Sequence, residues 1–545
     1  MPDREIPSRP NLEQYKNQAR DLVRDFRLGV PEALARMRRH HPRFADLPQS
    51  ELRRAAIART DAQLVLAREH GFASWPKFSK HIEMIRLIES LDDLADPVAA
   101  FIEVACVPRH SWHGSGTLEQ AGIILARYPH VATHNIFTAA ILADEPAVRG
   151  FLARDPGSAT AKGGPHEWDA LTHLCFSRYL RLDPSRAEAF VRAARALLDA
   201  GASAKTGWFE MIDHPHPRPT FESAIYGAAG IAGHAELTRL LLDRGADPND
   251  EETPYHVPEG YDNTVMKILL ESDKLNEASL ACMLVRKADW HDVDGLRLVL
   301  EHGANPNFMT RWGNSPLHHA LRRDNGLPLI EPLLDYGADP ASKNQQGRSA
   351  FSIAARRGRG DVLALFDERG LKPDFDDLER LIAACARGDR ESIAAAEPHL
   401  VEELLAAGGT LLAEFAGNGN VEGLRCLFGL GVSASALYAE GDPYFEITKN
   451  STALHVAAWR ARHAAVKVLI ARGAPLNATD AKGRTALALA VKACVDSYWK
   501  RLRSPESIQA LLEAGAATDG IKLPTGYDEA DRLLQAAKGS CLSSP

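Results

Sequence analysis

A short phrase recurs along this chain, and it restricts the fold more than any other feature: apolar residues, a polar residue, then Gly-Ala with a small or polar tail. It stands as Leu241-Leu242-Asp243-Arg244-Gly245-Ala246-Asp247-Pro248-Asn249, as Leu300-Glu301-His302-Gly303-Ala304-Asn305-Pro306-Asn307, and as Leu334-Asp335-Tyr336-Gly337-Ala338-Asp339-Pro340. Further copies end at Gly201, Gly473 and Gly515, with weaker ones at Gly370 and Gly431. An apolar helix that meets Gly can stop there, because Gly takes the left-handed conformation past a helix C-terminus and a polar or Pro-containing tail blocks continuation. The spacings of 34 and 33 residues from Gly303 to Gly337 to Gly370 set the period, and the longer gaps imply insertions or unmarked units.

A matching start signal follows several stops. Gly313-Asn314-Ser315-Pro316-Leu317-His318-His319-Ala320 and Ser451-Thr452-Ala453-Leu454-His455-Val456-Ala457-Ala458 each place a hydroxyl residue at an N-cap, and Pro316 suits a first helical turn where its missing N–H is not needed. Degenerate copies begin at Gly347, Gly483 and Ser223. The start phrase resembles the T-P-L-H-x-A phrase of the ankyrin-repeat family, and the alternation of starts and stops makes that resemblance strong over residues 197–517. The resemblance implies an all-α solenoid of helix-turn-helix units with projecting loops. Divergent units are expected earlier, around Phe137 and after Asp169, for roughly ten in all.

Residues 11–90 lack the phrase. Asn11 can cap a helix whose apolar Leu12, Tyr15, Ala19, Leu22 and Phe26 step by three and four, Thr60 can cap another, and Ser74-Trp75-Pro76 can start a third. The expected organisation is a small helical N-terminal domain at 1–90, divergent repeats at 91–196, repeats at 197–520 with insertions near 208–220 and 437–450, and a C-terminal tail at 521–545. Both insertions are expected to be surface loops. With its opening phrase Pro10-Asn11-Leu12-Glu13-Gln14-Tyr15-Lys16 and closing phrase Gly71-Phe72-Ala73-Ser74-Trp75-Pro76, the head looks like the leader of some bacterial ankyrin-repeat proteins, a resemblance that implies no activity.

Composition excludes several function classes. No apolar run approaches the ~20 residues of a membrane span, and residues 1–10 carry charges and prolines where a secretory signal needs an apolar core, so the expected location is cytoplasmic. Seven scattered cysteines without a CxxC pair fit reduced thiols, most of them small core residues. Net charge is −8, yet residues 1–90 hold 17 Lys+Arg against 12 Asp+Glu, leaving a basic head on an acidic body. The run Arg36-Met37-Arg38-Arg39-His40-His41 supplies the alternative reading, a nucleic-acid-associated adaptor, but no aromatic stacking set accompanies it.

Catalysis has little support, for there is no G-x-S-x-G elbow and no phosphate loop, so the chain is read as a non-enzyme without a cofactor. The histidine pairs His110/His113, His214/His216 and His318/His319 lack the further ligands a metal needs. His318 is expected to hydrogen-bond to neighbouring backbone, and the other pairs to sit on the surface. What remains is a scaffold that binds a partner protein through the concave face and loop tips of the array. Its candidate contacts are Phe308, Met309, Arg311 and Trp312 at one tip, then Trp208 and Phe209 in the first insertion and Trp459 after an inner helix, because aromatics, Met and Arg are enriched at interface hot spots. Partner identity and oligomeric state are left open by the sequence.

Overall fold

The eight marker glycines each lie two residues past the last residue of a helix, with φ between 71° and 101°. The residue that follows donates its N–H to the carbonyl five positions back, as Ala246 does to Leu241 (2.9 Å) and Ala338 to Leu333 (2.9 Å). This closure satisfies carbonyls that the ended helix leaves open. It also explains the alanine of the phrase: Ala246, Ala304, Ala338, Ala474 and Ala516 are all buried, so a small apolar residue is what the turn can accommodate.

The structure is a computed structural model that describes residues 4–7, 9–91, 94–212, 218–497 and 500–541. It is an all-α array of helical hairpins with two short β-hairpins, and its chain divides into two compact units, Met1–Thr253 and Pro254–Pro545.

The first unit opens with helices Leu12–Arg27, Pro31–His40, Arg59–Glu69 and Trp75–Ser90. Leu22, Phe26, Leu34, Met37, Phe44, Val65 and Leu66 form the core between the first of these. Asn11 caps as expected, its Oδ1 accepting from the Glu13 N–H at 3.0 Å. The cap expected at Thr60 lies at Ala58 instead, because the Asp61 carboxylate accepts the Ala58 N–H (2.7 Å) and starts the helix at Arg59. Hairpins follow, among them Ile136–Ile141 with Glu145–Arg154 and Ala170–Cys175 with Ala187–Asp199. Asp169 caps its helix through the Thr172 N–H (2.8 Å).

In the second unit the inner helices Glu277–Asp289, Pro316–Arg322, Ala350–Arg356, Asp377–Arg387, Gly408–Asn418, Ala453–Trp459 and Ala486–Val495 are each followed by an outer helix. Helix Asp528–Cys541, with Ala530 and Leu534 buried, packs on Glu506–Glu513. Turns between inner and outer helices come together from distant units. The Asn420 side-chain amide donates to the carbonyls of Gly358 (2.7 Å) and Ala386 (2.8 Å), and Arg359 donates to the Asn325 carbonyl (2.7 Å). Gly358 is required there, since its φ is 67° and a Cβ would stand 2.6 Å from the Phe415 ring.

Neither insertion is a plain surface loop. In the first, Gly207–Ile212 pairs antiparallel with Arg218–Ser223; His214 and His216 lie outside the described residues. In the second, Leu437–Tyr438 pairs with Ser451–Thr452, and Tyr438, Phe445 and Ile447 join a core cluster with Val456, Trp459 and Leu489. Three large apolar side chains within ten residues outweigh the acidic residues around them, so the segment folds onto the array.

Among the described cysteines Cys106, Cys175, Cys385 and Cys494 are buried and none forms a disulfide. No helix among the described residues is long and apolar enough to cross a membrane.

Candidate functional site

The tip that carries four of the candidate residues is built from its neighbours. Thr310 receives the Gly313 N–H (2.9 Å) and donates its own to Asn314 (3.0 Å), which closes the turn and points Met309, Arg311 and Trp312 outward. The Asn344 amide donates to Asn314 Oδ1 (3.0 Å) and the Gln345 N–H to the Gly313 carbonyl (3.0 Å), so the next tip braces this one. Met309 is 36% and Trp312 40% exposed, Arg311 is exposed with its guanidinium 4.9 Å above the Trp312 ring, and Phe308 is half-buried.

Behind the tip, His318 fixes the start of the inner helix. Its Nε2 meets the Ser342 carbonyl (3.0 Å), which can only accept, so Nε2 carries the proton and Nδ1 accepts from the Ser315 hydroxyl (2.6 Å). Burial lowers the His318 pKa, in keeping with a neutral ring. Ser315 thus bonds to the histidine ring in place of the backbone cap that its position predicts. His319 instead reaches Asp289, 2.8 Å from its Nε2. Burial would raise the Asp289 carboxyl, but His319 and Arg323 outweigh it and hold that carboxyl well below the usual range.

The second insertion reaches across the inner surface of this unit. The Tyr444 hydroxyl donates to the Asp289 carbonyl (3.2 Å), and the Arg323 guanidinium lies 3.5 Å over the Tyr444 ring. The Tyr438 hydroxyl donates to Glu414 (2.6 Å), which also receives Arg357 (3.2 Å). Arg357 and Arg460 both grip Asp324, at 2.6 Å each, with the carboxylate almost wholly buried. Burial raises the Asp324 carboxyl, and the two guanidiniums more than reverse that and drive it far down. Two cavities flank the insertion. One of about 410 Å³ is lined by Tyr255, Trp312, Arg322, Gln346 and Tyr444 among others. Another, of about 690 Å³, shares Arg322, Arg323 and Gln346 with it and adds Arg348, Arg356, Arg357, Glu440 and Asp442. The arginines on this surface include two adjacent pairs, Arg322-Arg323 and Arg356-Arg357, set one 34-residue repeat apart at the ends of successive inner helices, a periodic signal that the sequence reading did not use.

Two candidate contacts are corrected. Trp459 is 2% exposed because the insertion covers it; its indole N–H donates to the Phe445 carbonyl (2.6 Å) and Lys492 caps its ring (4.4 Å). Trp208 is 7% exposed, packed on Trp168 and Phe176 at 5.0 and 5.9 Å between ring centres. On the same strand alternation turns Phe209 outward, 68% exposed and beside Phe221 across the hairpin. Neither tryptophan is open to a partner.

His113 is also not on the surface. It is buried, with Nδ1 3.1 Å from the Tyr226 hydroxyl and Nε2 3.0 Å from Glu210. Burial, with a smaller push from Glu252, raises Glu210 to about 7. Among the described residues no group of three or more His, Cys, Asp or Glu side chains is placed to hold a metal ion. In the head, Arg36 forms a two-point pair with Glu69 (2.6 and 2.9 Å), and Arg38 bonds to the Leu47 carbonyl and Gln49 (3.1 Å each). Two of the arginines on which the nucleic-acid reading relies, Arg36 and Arg38, are therefore engaged within the head.

Comparison with known proteins agrees with the repeat. The ankyrin repeat family model matches residues 312–345 and 449–481. Over 62 residues the chain is 48% identical to an ankyrin repeat and LEM domain-containing protein 1 homolog of Caenorhabditis elegans, a match that covers 11% of this chain and 9% of that one. Over 256 residues it is 26% identical to human SH3 and multiple ankyrin repeat domains protein 2, covering 44% of this chain and 13% of that one. The solved ankyrin repeat domain of human ASB11 is similar at 23% identity with a TM-score of 0.30, covering 40% of this chain and 90% of that chain. The chain thus spans only about a tenth of the length of the curated relatives it matches first.

Proposed function

We propose that this ankyrin-repeat chain is a non-enzymatic scaffold that binds a partner protein through the Trp312 tip and the inner surface of its second unit. The observation that carries the reading is the tip itself: Met309, Arg311 and Trp312 project from a turn braced by the next loop. A rigid backbone loses little entropy on binding, and exposed Trp and Arg at one point are the side chains most often found to dominate interface energy. The cavity beneath, with Tyr255 6.1 Å from Trp312, gives an incoming side chain somewhere to be enclosed. Phe308, next to the tip in sequence, is half-buried, and Phe209 is a separate exposed ring on the first unit. Repeat arrays of this kind serve generally as protein-interaction modules, since exposed positions can vary without disturbing the stack. No catalytic constellation or cofactor enters this reading, and a cytoplasmic location is part of it.

The test is a quantitative pull-down from native lysate with wild type beside Arg311→Ala/Trp312→Ala. The expected result is a protein enriched by wild type and lost from the variant while circular dichroism is unchanged. Retention of the same partners by the variant would reject the tip.

A further inference from the structure

Pairing every arginine of the inner surface with its counter-ion leaves two over. Arg323 is held by Asp289 (2.6 Å), Arg356 by Glu379 (2.6 Å), and Arg357 by Asp324 and Glu414. Among the described residues, Arg322 and Arg348 have no carboxylate within ion-pair distance; the nearest polar contact of Arg322 is the Gln346 amide oxygen at 3.4 Å. Both line the larger cavity, and Arg322 lines the smaller one too. Arg322 is half-buried, and burial together with the charges of Arg323, Arg357 and Arg348 outweighs the attraction of Asp442 and lowers the pKa of its guanidinium. Arg348 is exposed and keeps its water, but a half-buried Arg322 without a carboxylate in ion-pair distance has no packing rationale, because fold stability is better served by a paired or solvated arginine.

From this we propose that the cavity walled by Arg322 and Arg348 receives an acidic side chain of a partner peptide, whose neighbouring aromatic or apolar residue enters the adjoining cavity against Trp312 and Tyr255. The inference rests on the binding role proposed above and names the chemistry of what is bound. Two guanidinium forks facing one space suit a carboxylate, which can accept paired N–H bonds from each. A lone small anion would leave most of about 690 Å³ empty, whereas a peptide fills both cavities at once through the wall they share. Glu440 and Asp442 line the same cavity, Glu440 exposed and Asp442 3.8 Å from Arg357 and close enough to attract Arg322, so an incoming carboxylate is repelled by them and is held only where the Arg322 and Arg348 guanidiniums offer N–H donors.

Selection of random peptides displayed on phage against the immobilised full chain tests the proposal. The expected pool is rich in Asp and Glu beside an aromatic residue, and its best peptide loses about tenfold or more in affinity against Arg322→Gln/Arg348→Gln, with the melting temperature unchanged. A pool without acidic bias, or equal binding to that variant, would overturn the inference. So would displacement of the peptide by millimolar inorganic phosphate at constant ionic strength with phosphate bound alone in calorimetry, which assigns the space to a small free anion. If a natural partner is lost from Arg311→Ala/Trp312→Ala but kept by Arg322→Gln/Arg348→Gln, the scaffold role stands and only the acidic ligand falls.

Discussion

Asp324 concentrates the energetics of the second unit in one side chain. It sits at a turn with φ of 51°, almost wholly buried, and neutralises two guanidiniums that arrive from units 33 and 136 residues further on. Removing one partner of a buried pair leaves the other charge uncompensated, which costs about 3–5 kcal/mol. Asp324→Asn is therefore expected to lower the stability of this unit by that amount in denaturant titrations. The pH dependence has a definite sign. Because the folded carboxyl titrates below its unfolded counterpart, its contribution is complete above the unfolded pKa of about 3.9 and declines as pH falls through that value toward the folded one. The gap between wild type and Asp324→Asn should thus be constant near neutral pH and narrow below about pH 4; a gap that widens in acid would show that Asp324 is not the ionised centre of the cluster.

At the scale of elements, the repeat was readable because each hairpin carries its own punctuation. Gly245, Gly303 and Gly337 announce helix ends by a backbone need that few other residues meet, and Pro316 and Thr452 mark starts. The insertion at 437–450 was not readable in the same way, since its meaning lies in what it lands on. Tyr438, Phe445 and Ile447 are apolar in the sequence, but only the folded array shows that they cover Trp459, and so turn a candidate contact into a core residue. The arginine cavity was hidden for the same reason: Arg322 and Arg348 become neighbours only when successive units stack. Phe445→Ala should cost about 3–5 kcal/mol as a buried aromatic truncation. The loss is expected as faster hydrogen exchange in helix Ala453–Trp459 with helix content retained. Unchanged exchange there would mean that the insertion merely lies on the surface.

Across the whole molecule, two compact units carry different kinds of surface. The first exposes Trp112, Phe209 and Met211, with Arg36 and Arg38 of the head engaged internally, while the second gathers exposed Met309, Arg311 and Trp312 on one braced turn beside cavities lined by Arg322 and Arg348. The proposed partner contact lies in the second, where these side chains share one braced turn. The most direct test places a photoreactive benzoylphenylalanine at Met309, and in a separate protein at Leu28, which is 73% exposed in the head, and irradiates each in native lysate. The account predicts one dominant protein crosslinked from position 309 and none shared with position 28. Crosslinks arising only from position 28, or nucleic acid as the principal adduct, would contradict it.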